Sequence, residues 1–145
     1  MRTPWDAAAL LHALLRGLRG RDGNPEPLTR GIESPDWDFC HGADKFFVSL
    51  FAPLYPRWHS RYSGHNSVGF VLFQPESSFR RFGVSSHHPQ RKQLARGVHR
   101  RFQVRGQDYD VVANSKVPKS MRYVKPVDMQ APPIAWWLVP CSYED

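Results

Sequence analysis

The chain has 145 residues, a formal net charge of +7, a pI of about 9.8 and 41% hydrophobic residues. That length fits one domain with a real core, and no apolar run approaches the ~20 residues that a helix needs to span a bilayer. Two cysteines, Cys40 and Cys141, exclude a disulfide framework and suit free thiols in a reducing compartment, so the chain is expected to be cytoplasmic.

The first predicted element is a helix. Thr3 can cap it, Pro4 fits the first helical position and Asp6 completes a capping box. Leu10, Leu11, Leu14, Leu15 and Leu18 follow at helical spacing, and Gly20 and Gly23 end the pattern. His12, Arg16 and Arg19 occupy the other face, as expected of a helix packed on a sheet rather than on a membrane. Asp6 and His12 interrupt the apolar run, and no small-residue cleavage site follows, so the segment does not read as a signal peptide.

Residues 20–36 hold glycines and prolines and are expected to be a linker. Phe46 to Phe51 reads as a buried strand, and Val68 to Gln74 as a second, stopped by Pro75. Between them, Pro53 and Pro56 break a loop rich in polar and aromatic side chains. Glu76 to Phe82 predicts a short helix, His87-His88-Pro89 a turn, and Gln90 to Val104 a third helix with Leu94, Val98 and Phe102 on one side. The last forty residues are Pro-rich, with Val111-Val112 and Trp136 to Val139 as short strands or packed loop. The whole predicts a single α+β domain, a small mixed or antiparallel sheet with packed helices. Its parts are an N-terminal helix and linker (1–33), a central core (34–105) and a Pro-rich C-terminal segment (106–145).

Reactive side chains concentrate at Asp36, Asp38, Cys40, His41 and Asp44, then at Tyr55, Arg57, Trp58, His59, Ser60, Arg61, Tyr62 and His65. A loop held between core strands suits a site. Zinc is disfavoured, because Cys40 and His41 are adjacent and no paired-cysteine or His-Glu-x-x-His pattern occurs. No nucleophile elbow or phosphate loop is present. Heme needs an aromatic slot and one axial donor, and His59 stands between Trp58 and Arg61 with Arg57 and Tyr62 nearby. The 91–105 helix carries six basic residues but none of the base-reading motifs, so it reads as a solvated face and nucleic acid is not expected.

The run Ser34 to Cys40, the strand Phe46-Phe47-Val48, Ala52-Pro53, His59-Ser60-Arg61, Phe73-Gln74-Pro75-Glu76 and Phe79 resemble the YqcI/YcgG family in order and spacing, over about 34–105. The resemblance implies a heme b protein associated with oxygen-dependent N-hydroxylation of guanidine or amino-acid-like small molecules. It implies Trp37, Phe39, Cys40 and Tyr55 at the pocket wall, His59 as axial ligand of the heme iron, and Arg61 on a propionate or substrate carboxylate. It also implies longer relatives, with this chain a shortened form that leaves room for a homo-oligomer. The alternative is a non-catalytic domain that binds a protein or nucleic acid.

Overall fold

A computed structural model describes residues 1–24, 26–82, 90–107 and 116–141, and for Arg91 the backbone alone. The chain runs α1 (Pro4–Arg21), β1 (Phe39–His41), β2 (Asp44–Phe51), β3 (Phe70–Pro75), α2 (Glu76–Arg81) and α3 (Arg91–Val104). Two 3-10 turns follow, Lys119–Arg122 and Trp136–Leu138. The class is α+β: among the described residues there are three helices and one antiparallel sheet in the order β1-β2-β3. No described helix is long and apolar enough to cross a membrane.

The α1 start follows its sequence. Thr3 Oγ1 accepts from the Asp6 N–H at 3.1 Å, and the Asp6 carboxylate accepts from the Thr3 N–H at 2.9 Å. These bonds to Arg2 and Thr3 hold the Asp6 carboxyl below its usual range. The leucine stripe is wider than the face that packs. Ala7, Ala8, Leu11 and Leu15 are buried, whereas Leu10 and Leu14 are exposed. The helix ends at Arg21, with Asp22 as its C-cap.

β2 is the expected run, and its hydrophobic side chains split between two covered faces. Val48 and Leu50 reach the core, where they join Phe39, Ile32, Leu11, Leu15, Tyr123, Val124 and Trp136. β1 was not expected as a strand. It forms because Gly42, at φ +61°, turns the chain in two residues so that His41 pairs with Asp44. Two bonds tie this hairpin to α1: Gly42 N–H to Asp22 Oδ1 at 2.7 Å, and Arg19 Nη1 to the Cys40 carbonyl at 3.2 Å.

β3 begins at Phe70, not Val68, and Gly69 just before it passes close to the end of β2. A Cβ on Gly69 would stand 2.9 Å from the Phe51 carbonyl oxygen, a backbone atom that cannot swing away. Gly69→Ala is therefore expected to destabilise the fold by about 1–3 kcal/mol. Gly17→Ala, with nothing within 4 Å, is expected to stabilise α1 by about 0.5–1 kcal/mol. Thermal unfolding of the two variants beside the parent separates them by sign.

The Pro-rich C-terminal segment is part of the core. Tyr123, Val124, Ile134, Trp136 and Trp137 are all buried. Trp136 stacks on Tyr123 at 6.0 Å between centroids, meets Trp137 edge-on at 5.7 Å, and donates Nε1–H to the Ser120 carbonyl at 2.9 Å. Trp136–Leu138 is a 3-10 turn instead of the expected strand or loop. The expected turn at His87-His88-Pro89 and the expected short strand or packed loop at Val111-Val112 lie outside the described residues.

Candidate functional site

Five of the six residues singled out from the sequence converge on one stretch, Arg122 to Pro126. The middle of this stretch, Tyr123 to Lys125, is buried, and its Tyr123 carbonyl accepts from the Leu50 N–H at 3.0 Å. Buried carbonyls need donors, and side chains of the 52–61 loop supply them. Tyr55 Oη donates to the Lys125 carbonyl at 2.8 Å. His59 Nε2 bonds the Pro126 carbonyl at 3.0 Å. Arg61 Nη2 donates to the Arg122 carbonyl at 2.7 Å, and its Nη1 reaches the Leu50 and Tyr123 carbonyls at 3.5 Å. Burial pushes the Tyr55 phenol up to about 12, so it remains a donor across the physiological range.

Trp37 and Phe39 approach the same stretch from the other side. Trp37 packs on the Tyr123 ring at 6.0 Å. The Phe39 N–H donates to Tyr123 Oη at 3.4 Å, and that hydroxyl donates to the Phe46 carbonyl at 3.1 Å. Burial pushes the Tyr123 phenol well above its usual value. Cys40 is a half-buried free thiol whose Sγ lies 3.5 Å from the Asp38 carbonyl. Asp38 pairs with Lys119 at 2.7 Å, and Asp36 sits in a turn whose N–H is bonded by Ser34 Oγ. His65 is exposed and bonds Ser67. Among the described residues no three His, Cys, Asp or Glu side chains gather as a metal site.

The hydrogen bonds fix the state of His59. The Arg61 backbone N–H can only donate, and it meets His59 Nδ1 at 3.0 Å. The ring proton therefore sits on Nε2, where it is given to the Pro126 carbonyl. The ring is fully buried and stacked on Tyr55, with centroids 4.4 Å apart and planes 11° apart. Both nitrogens are committed to the backbone, so the folded ring offers iron no lone pair. Arg61 is likewise committed, with its guanidinium 5.3 Å over the Phe51 ring. The pair does not fit the roles of axial ligand and propionate contact that the resemblance implied.

His12 has the opposite arrangement. Its Nδ1 lies 2.9 Å from the Val139 carbonyl, an atom that only accepts, so Nδ1 carries a proton and, in the neutral ring, the lone pair is on Nε2. The half-buried ring meets Trp136 edge-on at 5.8 Å and 71°. The sequence places His12 on the helix face opposite the leucines. Nothing local marks it, because the carbonyl that sets its tautomer is 127 positions away.

A sequence model of the YqcI/YcgG family matches residues 6–116, which is 111 of the 145 residues. The chain belongs to the YqcI/YcgG family. The YqcI/YcgG match reaches further than the 34–105 resemblance at both ends and takes in α1 from Asp6 on, with His12. It ends before Arg122 to Pro126, the stretch that the loop holds. No curated protein and no solved structure matches the chain.

Proposed function

We propose that this YqcI/YcgG protein binds heme b, that His12 Nε2 would hold its iron, and that the loaded protein N-hydroxylates a guanidine or amino-acid-like small molecule. The cofactor is the one that the resemblance to this family implies. The observation that carries the choice of donor is the bond from His12 Nδ1 to the Val139 carbonyl. A carbonyl on the far nitrogen orients an imidazole and raises the basicity of the coordinating one.

The remaining roles belong to residues around that ring. Trp136 packs on its edge and limits its rotation. Trp5, two helical turns earlier on the same face of α1, is 59% exposed, and Leu138, beside Val139, is 74% exposed. They are large apolar side chains of the kind that cover a macrocycle. Arg16, one turn beyond His12, brings a guanidinium of the type that pairs with a propionate. When bound, the heme supplies oxygen activation. The loop residues Tyr55, His59 and Arg61 act at a distance, by holding the C-terminal segment on which Trp136 and Val139 sit.

Titration of the purified chain with hemin tests this reading. A saturable Soret band is expected, and His12→Ala is expected to weaken hemin binding at least tenfold while leaving the far-ultraviolet circular dichroism unchanged. Equal binding by the variant, or no uptake by the parent chain, would sink it.

A further inference from the structure

A row of exposed basic side chains lies on α2 and α3, away from the 52–61 loop and His12. In α3, Lys92, Arg96 and Arg100 follow at four-residue spacing, with Arg101 and Arg105 beside them, and all five are exposed. Arg80 and Arg81, in the last turn of α2, are exposed as well. No ion pair among the described residues engages any of these seven, and residues 91–105 contain no Asp or Glu.

Taken alone, this helix is poorly arranged. Its N-cap, Gln90, makes no side-chain capping bond, and its first turn is basic where the helix dipole favours acid. Lys92 with Arg96, Arg96 with Arg100, and Arg101 with Arg105 are like-charge pairs one turn apart, each of which weakens the helix. Gly97 sits in its middle. A local sequence that opposes its own fold in this way suits a surface completed by an anionic partner.

We propose that the Lys92–Arg96–Arg100 face of α3 docks on the phosphate backbone of a nucleic acid. Each step of that row rises about 6 Å along the helix, comparable to the separation of consecutive phosphates on a strand. The apolar row Leu94, Val98 and Phe102 is offset from the basic row by two residues and so lies on the opposite face. It is the more covered side: Leu94 and Val98 are 36% and 42% exposed against 80% for Val104, and Ala95 and Phe102 are half-buried. A helix lying on a membrane turns its apolar row outward, whereas this one presents its charges. Binding through phosphates carries no base preference.

Fluorescence anisotropy with a labelled 20-base-pair duplex of arbitrary sequence, in 50 to 200 mM KCl, tests the proposal. Binding is expected to fall with salt at a log–log slope of about −3 or steeper, from at least three phosphate contacts. A second, unrelated duplex is expected to bind within twofold. The triple variant Lys92→Gln, Arg96→Gln, Arg100→Gln is expected to lose affinity at least tenfold and to flatten the slope by about 2–3 units. A charge-matched variant elsewhere, Arg2→Gln, Arg21→Gln, Lys45→Gln, is expected to stay within threefold of the parent. Equal losses in the two variants would overturn the proposal, leaving only non-specific charge. So would a failure to bind duplex or single strand while anionic phosphatidylserine vesicles are retained.

Discussion

Replacing His59 with alanine is expected to cost the folded state about 4 kcal/mol, seen as a fall of about 2 M in the urea midpoint. Three losses add. The stacked contact with Tyr55 leaves a hole in a fully buried place. The Pro126 carbonyl loses its His59 donor and the Arg61 N–H its His59 acceptor, and each buried group left unpaired costs about 1–3 kcal/mol. His59→Asn distinguishes the two bonds. An asparagine oxygen can accept from the N–H two residues on, as Nδ1 does, but it is too short to serve Pro126. About 2 kcal/mol of loss is expected, with the protein still folded and still taking up hemin. If both variants unfold within 1 kcal/mol of the parent while hemin uptake disappears, His59 is a ligand and not a brace.

Trp136→Ala is expected to be at least as damaging, at about 4–5 kcal/mol. Trp136 is fully buried, stacks on Tyr123, abuts Trp137 and the edge of His12, and caps the Ser120 carbonyl. Trp136→Phe keeps most of the apolar area and removes the Nε1–H donor, so about 1–2 kcal/mol is expected. Denaturant unfolding of both variants gives the ratio. A loss below about 1.5 kcal/mol in Trp136→Ala would mean that the C-terminal segment is not part of the cooperative core. The tryptophan variants also bear on function, since a looser Trp136 frees the ring of His12.

Local chemistry made much of this fold legible. The capping box at Thr3 and Asp6 announced α1, and the run Phe46 to Phe51 announced β2. β1 was hidden because three residues containing Cys40 and His41 carry no alternation; a glycine turn and a partner strand make them a strand. The C-terminal segment was hidden for a stronger reason. Its carbonyls are satisfied by Tyr55, His59 and Arg61, more than sixty positions earlier in the chain.

The same residues explain how the site was read. Histidine, arginine and tyrosine in an aromatic loop are the types that hold a cofactor, and they are equally the types that hold a backbone. Composition cannot separate the two uses, because the difference lies in what stands opposite each nitrogen. For His59 that is an N–H and a carbonyl, and for His12 a single carbonyl. The extent of the family match, by contrast, was underestimated from short motifs: most of α1 lies within it.

The two imidazoles, His12 and His59, hold their backbone partners through opposite tautomers. Long-range proton–nitrogen correlation spectra of the uniformly 15N-labelled chain report the tautomer of each histidine directly. At neutral pH, His59 is expected as the Nε2–H form and His12 as the Nδ1–H form, each assigned by loss of its signals in the corresponding variant. An Nδ1–H signature at His59 together with Nε2–H at His12 would contradict the account, because it would return the free lone pair to the ring buried beneath Pro126.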